Sequence, residues 1–443
     1  MSSSGLRLNN FGCELASRGK PREALRIFQV ALNLDPLFHD AWLNLAITLR
    51  YLGDLTASHV AIMRACTLKP VDPGFRYFRG LVLRDMGRYE EALAAYDEAL
   101  RIDPTYAKAR WKRVHLVMLL GQFPTGWELY EQRFAHKEGQ TLTHHPIDRW
   151  EPGVSLAHKT VLVQSEQGFG DSIQFARFIP ELVKLGARVI VEAPKSLIAL
   201  FQRLQGITAV IEQGQTPPAE VELRIPIMSL ALAFQTTLDS IPSTKYYLRA
   251  DPRKVAYWRD RLGPPADFKS QRVLRVGIAW EGGFRAHEPD TWQINNQRNI
   301  PLSLVAEHLD CQGIEWVSLQ KGDPAESELR EKSSTLWKQS RIHNFANELK
   351  DFDDTAALIT QLDLVITVDT AIAHLAGALG IPTWVLIRFN TCWRWLLHRT
   401  DSPWYQSVRL YRQIHPLQWN TPLATIKTDL ETLKIEKSQL VHF

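Results

Sequence analysis

Cysteine is scarce in this chain. There are four among 443 residues (Cys13, Cys66, Cys311 and Cys392), and no two form a C-x-x-C pair. A disulfide framework and a zinc knuckle are thereby excluded, and a reducing compartment fits. An excess of one charge is missing too: Lys and Arg number 52 against 48 Asp and Glu. That is far from the basic stripe of a nucleic-acid platform, so no nucleic-acid partner is expected. No apolar run is long enough to span a bilayer, since the longest, 375–387, contains Pro382. Met1 to Lys20 has no apolar stretch of the kind a secretion signal needs. The expectation is a cytoplasmic chain without a transmembrane segment. What remains is ordinary globular composition, 45% apolar and 23% charged, with tryptophan high at 14. The length suggests about three domains.

The first third repeats itself. Pro36, Pro70 and Pro104 are 34 residues apart, and so are Gly19, Gly53, Gly87 and Gly121. Small and bulky positions recur between them: Ala24, Phe28, Ala31; Ser58, Ile62, Ala65; Ala92, Tyr96, Ala99. Gly80 holds a small site in the third unit, and Trp42, Leu45 and Ala46 open the second. The pattern predicts antiparallel helix pairs, with glycine at the turn, small residues where helices approach, and proline stopping each second helix. The period and pattern resemble the tetratricopeptide repeat. Three units and a degenerate fourth, marked by Gly126, Tyr130 and Arg133 and departing at Pro124, are expected over 5–135. Such arrays present a groove, and a polypeptide bound there is one expectation, a mere spacer or dimerisation surface the other.

A linker is expected over 136–158, where Pro146, Pro152 and Gly153 interrupt the periodicity. Beyond it, short apolar runs alternate with helical stretches, which predicts two halves with parallel sheets. Strands are expected at Thr160–Ser165, Ala187–Val191, Ala209–Glu212 and Val221–Ile225 in a first half, 159–250. In a second half, 251–443, they are expected at Leu274–Trp280, Ile314–Leu319, Leu364–Val368, Thr383–Ile387 and Val408–Tyr411. Ligands bind such folds at the carboxyl ends of strands.

Four strand ends carry candidate chemistry. The first, Gln167-Gly168-Phe169-Gly170-Asp171, leads into a helix expected over Ser172–Leu185. A dinucleotide fingerprint, with Glu192 as ribose reader, fails here because Ile173 replaces its third glycine and Asp171 would repel a pyrophosphate. Asp171 is either a helix cap or a carboxylate placed as a general base. The second is Trp280-Glu281-Gly282-Gly283, followed by Arg298-Asn299-Ile300-Pro301; exposed N–H groups and a guanidinium suit phosphate. The third brings Gln320, able to read a base or sugar edge, and Lys321. The fourth, Asp369-Thr370-Ala371 with His374 one turn in, is a strand running directly into a helix. Its N-terminus suits a diphosphate without metal, or else Asp369 and Thr370 only cap and His374 is core.

Together these residues resemble the GT-B glycosyltransferases, most closely the heptosyltransferase-like family 9, over about residues 159–415. The resemblance implies a GT-B fold of two Rossmann-like halves behind the α-helical repeats. It implies Asp171 as general base, and Gln167, Gly168 and Gly170 as the acceptor loop. Trp280, Gly282, Gly283, Arg298, Gln320, Asp369, Thr370, Ala371 and His374 would hold the donor. Arg298 stands where the family usually has Lys, and Ala371 where it has Gly. Asp351-Phe352-Asp353 matches a metal-binding D-x-D but reads as a helix cap, so no metal or cofactor is expected. Trp393-Arg394-Trp395 through Trp404-Tyr405 suits either core or stacking on a ring. The implied function is an enzyme that moves a sugar from a nucleotide diphosphate donor to a protein or glycan acceptor hydroxyl. It would do so by inverting, metal-independent displacement. The alternative is a repeat-based adaptor with an inactive transferase-like domain.

Overall fold

The computed structural model describes residues 3–135, 142–265, 267–268, 271–283 and 295–439. Part of the expected linker (136–141) and the chain end (440–443) lie outside the described residues. The chain divides into two compact units, Met1–Gln132 and Arg133–Phe443.

The first unit is built of eight helices: α1 (Ser3–Ser17), α2 (Pro21–Leu34), α3 (His39–Tyr51), α4 (Leu55–Leu68), α5 (Pro73–Asp85), α6 (Tyr89–Ile102), α7 (Ala107–Leu119) and α8 (Phe123–Tyr130). Each intra-pair turn uses a glycine with positive φ, from +74° to +87° at Gly19, Gly53, Gly87 and Gly121. Helix starts are set by Pro21 and Pro73 in the first turn and by Asp54 and Asp72, whose carboxylates accept from backbone N–H groups. The small residues have a steric cause: a Cβ on Gly80 would come within 2.4 Å of the Tyr96 ring, and one on Gly12 within 2.6 Å of Phe28. A second regularity ties neighbouring units. Trp42 Nε1, Arg76 Nη2 and Arg110 Nη2 donate to the carbonyls of Pro36, Pro70 and Pro104 respectively, each six residues upstream. Pro124, the apparent departure of the fourth unit, falls in the first turn of α8, where a missing N–H costs nothing.

The second unit holds two parallel sheets. The first comprises β1 (Thr160–Gln164), β2 (Arg188–Ala193), β3 (Ile207–Glu212) and β4 (Leu223–Pro226), in the order β3-β2-β1-β4. A short antiparallel pair, β5 (Asp267–Phe268) and β6 (Gln271–Arg272), precedes the second sheet. That sheet is made of β7 (Leu274–Ala279), β8 (Ile314–Ser318), β9 (Arg341–Asn344), β10 (Leu364–Val368), β11 (Thr383–Ile387) and β12 (Val408–Arg412). Its order is β12-β11-β10-β7-β8-β9. The central strands β1, β7 and β10 are buried along their whole length, as two-sided coverage by helices requires. Two α/β halves with parallel sheets behind helical repeats is the expected fold class.

Differences have local causes. The sequence pattern misses β9, a polar edge strand (Arg-Ile-His-Asn) with no buried residue, and the closing helix Asn420–Gln439. The helix expected over Ser172–Leu185 breaks into Phe169–Phe175, a 3-10 turn and Ile179–Lys184, with Pro180 opening the last piece. Residues 142–158 are not a free linker. Trp150 is buried and donates its N–H to Arg224 of β4, whose own N–H donates to Asp148. Among the described residues no helix is long and apolar enough to cross a membrane.

Candidate functional site

The loop after β1 is pinned from below. Glu166 is fully buried and accepts from Arg133 Nε and Nη2 at 2.7 and 2.9 Å and from the Met228 N–H at 3.1 Å. Gln167 follows with φ +59°, turning the chain so that Gly168 caps the helix Phe169–Phe175. Asp171, the third residue of that helix, accepts at Oδ2 from the Gly168 N–H at 2.9 Å. The capping role is therefore real. Its other oxygen, Oδ1, accepts from Arg394 Nη2 in the second half.

In the second half, loops gather at the ends of β7, β8 and β10. The guanidinium of Arg298 lies directly over Gly282, where a Cβ would come within 2.0 Å of Nη2, and its Nη1 donates to the Asp369 carbonyl at 2.9 Å. The Gly282 N–H donates to Asn299 Oδ1 (2.9 Å), and Asn295 Nδ2 to the Gly283 carbonyl (3.2 Å). Thr370 caps the helix Ala371–Ala378, its Oγ1 accepting from Ile372 N–H at 3.3 Å. Among the described residues no side chain pairs with the half-buried Asp369 carboxylate. Glu281, half-buried beside the glycines, has its pKa raised by burial and then by Glu328.

The two halves meet at these helix starts. A Cβ on Gly170 would lie 2.8 Å from His374 Cδ2 and 3.5 Å from Ala371 Cα. Phe169 packs on Phe352 across the same seam, with ring centroids 5.0 Å apart. Arg177, buried, donates to the Trp404 carbonyl at 2.5 Å and lies 4.6 Å over the Tyr405 ring. Asp171, Gly170, Arg298, Gly282, Asp369, Thr370 and Ala371 thus lie together on facing loop and helix ends.

Three residues expected to hold the donor, Trp280, Gln320 and His374, are engaged elsewhere, as is the neighbouring Lys321. Trp280 is buried in the core of the second half among Leu274, Val276 and Trp316, so its ring has no ligand face. Gln320 Oε1 accepts from the N–H groups of Trp280 (3.2 Å) and Glu281 (3.1 Å); it braces the loop and does not offer that oxygen to a base or sugar. Lys321 Nζ donates to the carbonyls of Ala346 and Leu349. His374 is 5% exposed, stacked on Trp395 at 5.4 Å, with Nδ1 3.0 Å from the Tyr405 hydroxyl. Burial pushes its pKa down to about 4, so near neutrality it carries no charge to offer a phosphate. The rival ribose reader Glu192 is likewise buried, accepting from Gln164 Nε2 (2.9 Å) and the Gly214 N–H (2.9 Å).

Sequence reasoning missed Arg394. It saw Trp393 and Trp395 as stacking rings or core; both are core, at 4% and 0% exposure, and the arginine between them reaches Asp171. The D-x-D segment behaves as a cap: Asp351 accepts from the Asp354 N–H at 2.8 Å. Its acids are held by Lys254, 3.0 Å from Asp351, 3.3 Å from Asp353 and 2.8 Å from Asp354, and by Arg203, 3.2 Å from Asp353.

Comparison with known proteins agrees with this organisation. Residues 9–65 match the model of the tetratricopeptide repeat, 80–121 that of the TPR repeat, and 303–387 that of glycosyltransferase family 9 (heptosyltransferase). Protein FlbA of Caulobacter vibrioides is 28% identical over 95% of this chain and 72% of its own length. The TPR repeat-containing thioredoxin TTL4 of Arabidopsis thaliana is 41% identical over 13% of this chain and 9% of its own. Among solved structures, the first TPR of Spaghetti (RPAP3) bound to an HSP90 peptide covers 27% of this chain and 95% of its own, at 21% identity and a TM-score of 0.27. MamA covers 31% and 76% respectively, at 20% identity and a TM-score of 0.29. At these scores neither structure adds to the assignment. The chain carries tetratricopeptide repeats and, after them, a region of the glycosyltransferase family 9 (heptosyltransferase) type.

Proposed function

We propose that the second unit transfers a sugar from a nucleotide diphosphate donor to an acceptor hydroxyl by inverting, metal-independent displacement. Asp171 accepts the proton of the hydroxyl while that oxygen bonds to the anomeric carbon. The bond from that carbon to the diphosphate oxygen breaks, and its electron pair leaves with the diphosphate. Arg298 and the N–H groups opening the helix Ala371–Ala378 stabilise the charge that develops there. One juxtaposition supports the reading above the rest: Gly170 against Ala371 and His374, which brings a carboxylate-bearing helix start beside a phosphate-binding one. His374 is assigned to hold this seam, and Gln320 to brace the donor loop. The engagement of Asp351, Asp353 and Asp354 by Lys254 and Arg203 favours metal independence. Recruitment of a polypeptide acceptor by the repeats belongs to the same proposal.

The test is turnover of a panel of nucleotide sugars by wild type and Asp171→Asn. General-base loss costs about 10²–10⁴-fold, with nucleotide diphosphate affinity within a few-fold of wild type. Equal loss of donor binding sinks the base role, and inhibition by EDTA sinks metal independence. The adaptor alternative draws on Asp171 having both oxygens engaged and on Ala371 replacing glycine. It predicts that no nucleotide diphosphate raises the melting temperature.

A further inference from the structure

Arg394 is held by more than its acid partner. It stands in the 3-10 turn Trp393–Trp395, 223 residues from Asp171. Nε donates to Gln174 Oε1 at 2.8 Å, one turn along the helix from Asp171, and Nη1 donates to Cys392 Sγ at 3.3 Å. The guanidinium lies over the Trp393 ring, with Cζ 4.2 Å from the centroid, and Trp395 is fixed against His374. Only a planar fork satisfies three such partners at once; an ammonium would not. The side chains of the pair are 11% and 20% exposed, so the charge on Arg394 acts on Asp171 with little screening.

We propose that Arg394 is the positioning residue of Asp171, orienting its carboxylate from the opposite half. This rests on the reading of Asp171 as the base. With Oδ2 on the helix cap and Oδ1 on Arg394, the carboxylate cannot rotate, and the proton it accepts must come along a fixed direction. The other charged or titratable groups facing this cluster are Arg177 from the same helical run, Asp369 from the end of β10, Cys392, Tyr405 and His374. His374 stays neutral above about pH 4. Removing Arg394 takes away the cation in direct contact and frees Oδ1 of Asp171 to turn.

The experiment is nucleotide-sugar turnover and nucleotide diphosphate affinity of the full chain, with a carbon-13 spectrum at a single pH of the chain labelled at aspartate carboxyls, the Asp171 signal being identified by its loss in Asp171→Asn. In Arg394→Gln the Asp171 signal moves from its wild-type position and kcat falls about tenfold or more with nucleotide diphosphate affinity within a few-fold of wild type, and Arg394→Lys restores part of both. Should Arg394→Gln not fold, Gln174→Ala serves instead. It releases Nε of the fork but leaves the contact with Asp171 in place, and it gives a smaller displacement of the Asp171 signal and a smaller loss of kcat. An unmoved Asp171 signal or an unchanged kcat in the folded variant overturns the proposal. Nucleotide-sugar turnover retained by Asp171→Asn overturns the base reading alone, so the two failures are distinguishable.

Discussion

Gly170 lies against the ring of His374 so closely that a methyl group on its Cα would come within 2.8 Å of Cδ2. The ring cannot retreat, because Trp395 is stacked on it and Tyr405 bonds it from the side. Gly170→Ala is therefore expected to part the two helix starts. The cost is about 1–3 kcal/mol, as for other overpacked sites. Chemical denaturation measures it, and turnover of any accepted nucleotide sugar falls with it. A variant of wild-type stability would show that the seam is soft.

Gly282 makes the opposite case. A Cβ there meets Arg298 Nη2 at 2.0 Å, but that atom ends a flexible side chain. Gly282→Ala should leave the melting temperature nearly unchanged while moving the guanidinium off its seat. We expect the affinity for inorganic pyrophosphate, read by calorimetry, to fall about tenfold, the scale of one charge-assisted contact. Arg298→Ala should give the same loss, and the double variant no further loss, because both changes remove one interaction.

Burial of His374 makes stability depend on pH. Its folded pKa of about 4 lies below the ordinary 6.5, so the unfolded chain binds an extra proton between those values. Stability is full above pH 6.5 and falls as the pH drops toward 4, by about 3 kcal/mol in all. His374→Gln removes this slope. A melting temperature that declines identically in wild type and variant across that window would count against the buried neutral imidazole.

The pair Arg133–Glu166 is fully buried, with both side chains at 0% exposure. Glu166→Gln takes the carboxylate from the buried guanidinium, leaving it Ser229 Oγ, and costs about 3–5 kcal/mol, whereas replacing both residues by apolar ones of like volume costs less, chiefly the unpaired Met228 N–H. Urea denaturation of the single and double variants separates these outcomes.

Within the repeats, Gly80→Ala meets the buried Tyr96 ring at 2.4 Å and should cost about 1–3 kcal/mol. At Gly53 there is open space, and only its φ of +87° resists; alanine there should cost about 1 kcal/mol. Equal losses at both sites would contradict a steric origin for the small position.

The repeat was legible because its determinants are local. A turn glycine and a small residue facing a bulky one recur within a single helix pair, so they leave a period in the sequence. The strand ends were legible for a similar reason: hydrophobic runs stop where glycine or a cap begins, as at Val368-Asp369-Thr370. Strand β9 was not, since an edge strand is polar and short and carries no burial signal. Trp280 and Gln320 lie at the ends of β7 and β8, yet the Trp280 ring turns into the core and Gln320 Oε1 onto backbone N–H groups. Whether a side chain there points into the core or toward a ligand depends on what packs beneath it.

The sequence by itself determined the repeat register, the two parallel sheets, and the positions of Asp171, Arg298 and Thr370 at element ends, because each follows from backbone preferences and burial over a few neighbouring residues. Only the tertiary structure decided what those groups face. Arg394 meets Asp171, Gly170 meets His374, and Lys254 meets Asp351, Asp353 and Asp354, each across at least 97 residues. Such contacts arise from the packing of whole elements, and separation along the chain leaves no periodic mark from which to read them.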